Sequence, residues 1–416
     1  MALTRTLMQL RPILAALGRH KVATLLIVLQ VALTLAVASN ALFIVATSII
    51  HLSRPTSTDE DHLFVIRNGW KLGQTAGQID ANIRADLDTL RNVSGVRDAY
   101  SSQGYPLGGY NANIIMHLKL KPDQKTSGQL ATFFASDEHT LNTLGLSLVA
   151  GRNFRPDEIT AISPDQKMSP AGVIVTRGLA DKLFPEGSAL GKTVYLPDGP
   201  AAIIGILASL QGPLRNSKTM DGFTVLVPTR YIDPAGVAYL VRTDPTVMQP
   251  VIAAALKTLQ EHSGIRIIDP KAGVITMAQA RAHAYAGDHS VAVLMSILSG
   301  MLLLATAGGI VGLSSFWVSQ RRRQIGIRRS LGATTNDILS YFHSENFLIV
   351  SGGVLLGTLL ALLVNLGLMR VYELPHMPFY MPLLGALLLW LLGQLAVWGP
   401  ARYAAKVPPV VAIRAE

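Results

Sequence analysis

The chain has 416 residues, 50% of them apolar and only 15% charged, with a mean hydropathy of +0.36. A soluble globular chain carries about 25% charged residues, so this composition excludes an ordinary cytosolic enzyme and a disordered protein. The formal charge of +10 fits nucleic acid or a membrane surface, and the absence of cysteine excludes disulfides, Cys-ligated metals and a thiol nucleophile.

Residues 1–21 repeat leucine at Leu3, Leu7, Leu10, Leu14 and Leu17, with Arg5, Arg11 and Arg19 off that stripe. The pattern predicts a cytoplasmic amphipathic helix in the inner headgroup layer or, equally, an extension of the first span. Val22–Ile50 then contains no Asp, Glu, Lys or Arg. Crossing about 30 Å of hydrocarbon takes about 20 helical residues, so 22–50 reads as transmembrane helix 1. Ala36-Val37-Ala38 looks like a signal cleavage site. The apolar run continues to Ile50, however, past the roughly 7–15 residues of a signal core, so the segment reads as an uncleaved anchor.

Residues 51–285 carry 23 basic and 21 acidic residues and read as a folded α/β domain. Strands are expected at Leu63–Asn68, Arg97–Ser101 and Ile114–Leu120, with a helix over Ile79–Val93. The pattern recurs as strand Ala238–Arg242, helix Val247–His262 and strand Ile265–Ile268. Two β-α-β units thus flank a β-rich insertion at 130–227, with short strands at Gly172–Thr176, Thr193–Leu196, Ala202–Leu207 and Thr224–Val227. Thr276–Ala286 is helix-compatible and feeds directly into the second span.

Catalytic signals in this domain are weak. Gly187-Ser188-Ala189-Leu190-Gly191-Lys192-Thr193 has one residue too few between its glycines for a phosphate-binding loop, and Lys192 opens a strand rather than a helix. It reads as a turn. Glu138-His139 reads as a solvated helix start, and no metal-binding or catalytic motif emerges.

Three further charge-free stretches follow, Ser290–Val318, Asn346–Met369 and Met377–Ala401. They place transmembrane helices at 286–318, 341–370 and 377–401, with a short outer loop at 371–376 and a tail at 402–416. Residues 1–21, 319–340 and the tail together hold twelve basic and two acidic residues. The positive-inside rule therefore puts both termini and the 319–340 loop in the cytoplasm and 51–285 outside. Charge beside the membrane also weakens the nucleic-acid reading. The four charge-free stretches lack the ionisable groups of a proton relay. Gly308-x-x-x-Gly312 and Gly353-x-x-x-Gly357 allow close helix packing and are candidates for a dimer face.

The 319–340 loop is the informative stretch. Gly332 suits a left-handed helix end, Thr334 or Thr335 can cap the next helix, and Asp337 suits its first turn. Ile327 and Leu331 lie one turn apart, an apolar knob among arginines. Glu345 falls about 14 Å along the following helix, where it either touches this region or snorkels to water.

Arg321-Arg322-Arg323-Gln324-Ile325-Gly326-Ile327-Arg328-Arg329-Ser330-Leu331-Gly332-Ala333 resembles the Arg-x-x-Glu-Ile-Gly-x-Arg-Arg-x-Leu-Gly-Ala signature of MacB/FtsX-like ABC transporter permeases. Gln324 replaces the usual Glu. Val173–Phe184 followed by Gly191-Lys192, Leu144-Gly145-Leu146 with Gly151–Phe154, and Pro400–Lys406 with Pro408 and Ala412–Arg414 are also similar to that family. The resemblance implies an α-helical membrane domain of four transmembrane helices plus a large extracytoplasmic α/β domain. That domain would have a porter-like part, 51–129 and 228–285, and an inserted subdomain at 130–227.

It further implies an inner-membrane permease subunit that is not itself an enzyme and works as a dimer with a second permease copy or paralogue. A separate ABC ATPase would bind ATP and Mg, leaving no cofactor, metal or nucleic acid on this chain. A periplasmic membrane-fusion protein and an outer-membrane channel are further expected partners. The implied coupling residues are Arg323, Ile325, Gly326, Ile327, Arg328, Arg329, Leu331, Gly332, Ala333 and Asp337. Export from the periplasmic side is the expected function. A lipoprotein-releasing permease and a non-transporting regulator of cell-wall hydrolases are the alternatives.

Overall fold

The computed structural model describes residues 21–52, 56–108, 115–124, 128–212, 222–262, 264–372 and 376–406. The N-terminal amphipathic helix, apart from Lys21, and the tail beyond 406 lie outside them. The helices in chain order are α1 (Lys21–Leu52), α2 (Ala76–Arg91), α3 (Thr140–Leu144), α4 (Arg177–Leu183), α5 (Met248–His262), α6 (Met277–Gln320), α7 (Arg322–Ser330), α8 (Thr335–Tyr372) and α9 (Tyr380–Lys406). The strands are β1 (Leu63–Trp70), β2 (Val96–Ser102), β3 (Ile115–Leu118), β4 (Gln129–Ser136), β5 (Leu148–Gly151), β6 (Thr160–Ile162), β7 (Gly172–Thr176), β8 (Thr193–Leu196), β9 (Gly199–Leu207), β10 (Thr224–Tyr231), β11 (Val237–Thr243), β12 (Arg266–Ile267) and β13 (Val274–Thr276). Two compact units result: residues 54–286, and the segments before and after them.

Among the described residues four helices are long and apolar enough to cross a membrane, over Lys21–Ile50, His289–Gln320, Thr335–Arg370 and Tyr380–Tyr403. The third begins earlier than the expected 341, so residues 335–340 of the expected loop form its opening turns. Val31 and Leu35 of α1, Val350 and Val354 of α8, and Leu389 and Val397 of α9 share one buried cluster. Asn40, buried in α1, donates to the Ala36 carbonyl at 2.9 Å and across to the Ala361 carbonyl at 3.1 Å. A polar amide is thereby tolerated inside an apolar bundle.

The glycine pairs part company here. A Cβ on Gly353 would meet Val31 at 2.6 Å, and one on Gly357 would meet the Ala32 carbonyl at 2.8 Å. Gly353 and Gly357 therefore let α8 approach α1 within one chain, the close helix packing that their spacing allows. A Cβ on Gly308 or Gly312 would meet nothing within 4 Å.

In the other unit, β1 and β2 are each antiparallel to β11, which lies between them. β12 pairs antiparallel with β1, giving the order β12-β1-β11-β2, with β13 also on β1. The two expected β-α-β units are thus split and interleaved in one sheet, a ferredoxin-like arrangement. Thr75 and Gln78 close a capping box that starts α2. Its Ile79, Ile83, Leu87 and Leu90 then fall on one face and bury, with Val251, Ala255 and Leu259 of α5, against Phe64, Ile66, Tyr239 and Val241. Asp86 on α2 is buried but paired, to Arg266 at 2.7 Å and the Tyr239 hydroxyl at 2.7 Å.

The second sheet runs β3-β4-β10-β7-β9-β5, with β6 on β10 and β8 on β9, and mixes parallel and antiparallel pairs. Its core joins Met116 and Leu118 to Ala131 and Phe133, and Val173 and Val175 to Leu179 and Leu183 of α4. β3, expected in the porter-like part, therefore pairs within the inserted sheet instead. Two backbone donors of the Gly187–Thr193 turn are already taken. Gly191 N–H donates to Ile203 at 2.8 Å and Lys192 N–H to Ala189 at 3.1 Å, leaving neither for phosphate.

The sheets meet through β2 and β4. Gln103 donates to the Phe133 carbonyl at 3.1 Å and accepts from Ala135 N–H at 2.9 Å. Glu138-His139 does start a helix, α3, but His139 is not simply solvated: its Nδ1 lies 2.8 Å from Asp98 Oδ1. Beside it, burial pushes Asp137 up to about 6, against the lowering effect of Arg91 3.6 Å away. A carboxyl raised above its unfolded value binds more protons when folded, so stability falls as pH rises from about 4 to about 6. Asp137→Asn removes this term. In thermal unfolding of the full chain across pH 4–8, the variant gains on the wild type as pH rises through that window; parallel profiles would refute the assignment.

Candidate functional site

The 319–340 region folds as a helical hairpin between α6 and α8. The α6 hydrogen bonding loosens at Arg321, whose N–H still reaches Trp317 at 3.0 Å, and α7 restarts at Arg322. Gly332 has φ +97°. Ala333 N–H donates to Arg328 and Gly332 N–H to Arg329, both at 3.1 Å, the paired bonds of a Schellman stop. A side chain with a Cβ is strained at that φ, which is why glycine stands there.

The next helix starts at once. The Thr334 hydroxyl and N–H donate to Asp337 at 2.6 and 2.9 Å, and Asp337 N–H returns to the Thr334 hydroxyl at 3.3 Å. Thr334, rather than Thr335, is the cap. Asp337 is thus part of the cap that aims α8, while its carboxylate favours the positive helix start.

This hairpin sorts the motif into two faces. Ile325 is 7% exposed and packs with Trp317, Val318, Ile338 and Phe342. Gly326 is buried and Ala333 half-buried. On the other side Ile327 is 47% and Leu331 83% exposed, with Arg323 and Arg328 exposed and Arg329 half-buried. Arg328 stands 5.1 Å from the Tyr341 ring centre. The outward face therefore presents an apolar knob ringed by guanidinium groups, while Ile325, Gly326 and Ala333 attach it to the bundle. Leu331 has too little neighbouring protein to be a core residue.

Arg321 and Glu345 supply the hairpin's brace. One guanidinium nitrogen lies 3.0 Å from each Glu345 oxygen, and Glu345 is only 2% exposed. Glu345 thus faces inward rather than reaching for water. Arg321 was not among the implied coupling residues, although it fills the first Arg of the signature; it lies one helical turn after Trp317, over whose ring it sits 5.9 Å away. Among the described residues no group of three or more His, Asp and Glu could hold a metal ion.

Comparisons with known proteins match the chain in two parts, the first of which begins inside α1. The MacB-like periplasmic core domain profile matches residues 25–259, and the FtsX-like permease C-terminal profile matches 296–409. The chain is 28% identical over 264 residues to the pyoverdine export ATP-binding/permease protein PvdT of Pseudomonas entomophila (strain L48), covering 61% of this chain and 39% of that one. It is 25% identical over 298 residues to the uncharacterized ABC transporter permease YknZ of Bacillus subtilis (strain 168), covering 69% of this chain and 70% of that one. It spans 39–50% of the length of the pyoverdine and macrolide export relatives that it matches. Among solved structures, the periplasmic region of MacB from Actinobacillus actinomycetemcomitans aligns at 14% identity and a TM-score of 0.34, over 56% of this chain and 97% of that one.

Proposed function

Because the chain belongs to the ABC transporter permease family built from a MacB-like periplasmic core domain and an FtsX-like C-terminal domain, we propose that it transmits the work of an ABC ATPase across the inner membrane. The α7 hairpin is the receiving surface. ATP and Mg bind on the ATPase, and this permease region contributes no catalytic group. Both termini face the cytoplasm, and a second permease copy completes the assembly. Movement of the spans reshapes the periplasmic domain, which exports a substrate taken from the periplasmic side. A periplasmic membrane-fusion protein and an outer-membrane channel would carry it onward.

The observation behind this reading is the exposure of Ile327 and Leu331 on a hairpin whose opposite face is firmly packed. An apolar pair in a basic ring suits a partner groove with an acidic rim. Its burial is worth about 1.5–3 kcal/mol per side chain, and a carboxylate placed there also pays for desolvation. Ile327→Asp and Leu331→Asp should each cut the amount of bound ATPase by about tenfold or more. The test is co-expression with candidate ABC ATPases, purification into lipid nanodiscs, and measurement of bound ATPase and ATP hydrolysis. Assembly of both variants at the wild-type level, or no ATPase on the wild type under any condition, would overturn the proposal.

A further inference from the structure

The first membrane helix ends at Leu52, and the second arises from α6, whose apolar stretch opens at His289. Residues 56–62 and 277–286 are therefore the two legs by which the 54–286 unit continues toward the spans. Within that unit the legs are fastened to each other. Arg281 Nε donates to Glu60 Oε2 at 2.6 Å and Nη2 to Oε1 at 2.5 Å, with side chains only 25% and 16% exposed. The Thr56 hydroxyl donates to the same carboxylate. Burial raises the Glu60 carboxyl, but the hydrogen bonds from Arg281 and Thr56 outweigh it and hold it below its ordinary value.

A third segment joins the legs. Gln211 follows β9 in the inserted sheet; its side chain donates to the Tyr285 hydroxyl at 3.2 Å and its N–H to the Thr56 carbonyl at 3.3 Å. Tyr285 is fully buried, with the Arg281 guanidinium 5.5 Å from its ring centre. The neighbouring Leu210 carbonyl accepts from Thr224 of β10 at 2.8 Å. The first leg also reaches the other sheet, because Asp59 pairs with Arg242 of β11 and its N–H donates to Leu144 of α3 at 3.1 Å. A displacement of either leg thus has polar routes into both sheets.

We infer that Glu60 and Arg281 are the positioning pair that makes the two legs move as one and so passes span movement into the inserted sheet. A bidentate guanidinium–carboxylate pair fixes an angle as well as a distance, which a lysine does not. Without it each leg can swing alone. The inference rests on the permease reading, but its first measurement does not require an ATPase.

The cysteine-free chain permits clean spin labelling. Labels at the exposed Asp61 and His283 read the leg-to-leg distance, and labels at Asp61 and Asp198 read movement of the inserted sheet. The full chain is studied in nanodiscs, first without nucleotide and then with its ATPase and ATP-vanadate. Wild type should give one narrow leg distance and an ATP-driven shift at Asp198. Glu60→Gln and Arg281→Lys should broaden the first and abolish the second in chains that still fold and bind the wild-type amount of ATPase, whatever the drop in thermal midpoint. The reversed pair, Glu60→Arg with Arg281→Glu, should restore both. Narrow leg distances in both single variants, or a retained ATP-driven shift, would overturn the inference. So would failure of the reversed pair in a chain that still folds. A wild type that binds no ATPase would instead sink the permease reading, and the nucleotide-free leg distance would still decide the joint.

Discussion

Gly357→Leu will prevent stable assembly of the helical unit, whereas leucine at Gly308 or Gly312 will leave it folded. At Gly357 the added Cβ would lie 2.8 Å from the Ala32 carbonyl oxygen and 2.9 Å from the Ala32 Cα. Those are backbone atoms, so no rotamer change relieves the clash; α8 must withdraw from α1. Overpacking a core usually costs about 1–3 kcal/mol, and displacement of a whole helix crossing exceeds that range. The buried contacts of Val31, Leu35 and Val354 would be lost with it. Gly357→Ala should show a smaller loss in the same direction. Size-exclusion profiles and thermal midpoints in detergent measure both; a monodisperse Gly357→Leu protein with the wild-type midpoint would contradict the packing argument.

The same measurements separate intrachain packing from assembly. Nothing lies within 4 Å of a Cβ at Gly308 or Gly312, so the fold has no reason to object to leucine there. We propose that this open face of α6 meets the second permease copy. Gly312→Leu should then keep its thermal midpoint but lower the dimer fraction in native mass spectrometry. An unchanged dimer fraction would remove Gly308 and Gly312 from the assembly face.

The two glycine motifs also show what a single sequence leaves open. Spacing identified both as places of close approach, but the neighbour is a tertiary fact, and for Gly353 and Gly357 it is α1 of the same chain. The long spans were legible because about 20 uncharged residues have few other fates. The strands β1 and β11 were legible as short apolar runs between turn signals, although both are buried along most of their length, and the end of α7 and start of α8 followed from Gly332, Thr334 and Asp337. Gln129–Ser136 was missed although Gly172–Thr176, buried throughout, was found: it carries one β-branched residue, Thr132, where Gly172–Thr176 carries four. Placement of β3 with the insertion was missed for a different reason: pairing partners distant in sequence leave no local mark. The polar joints, Asp98 with His139 and Glu60 with Arg281, link residues 41 and 221 positions apart. Nothing at either end of such a pair names the other.

Glu345→Ala will destabilise the helical unit more than removal of both partners. The Arg321 side chain is 14% exposed and that of Glu345 2%, so truncating the acid strands a guanidinium that solvent reaches poorly. Breaking a buried pair from one side costs about 3–5 kcal/mol, while replacing both charges by apolar groups of similar volume is often neutral or stabilising. Arg321→Met combined with Glu345→Leu should therefore recover most of the thermal stability lost in Glu345→Ala. Function need not follow stability. The pair braces the end of α6 against the third turn of α8, and it fixes the direction in which the α7 knob is presented. Apolar replacements pack but have no preferred orientation of that kind. The double variant should consequently bind ATPase with a folded bundle yet lose permease-dependent stimulation of hydrolysis. A double variant as unstable as Glu345→Ala would mean that the charges are required for folding itself. One both stable and fully stimulating would mean that packing alone orients the hairpin, and the coupling geometry would then rest on Ile325, Ile338 and Phe342 beneath it.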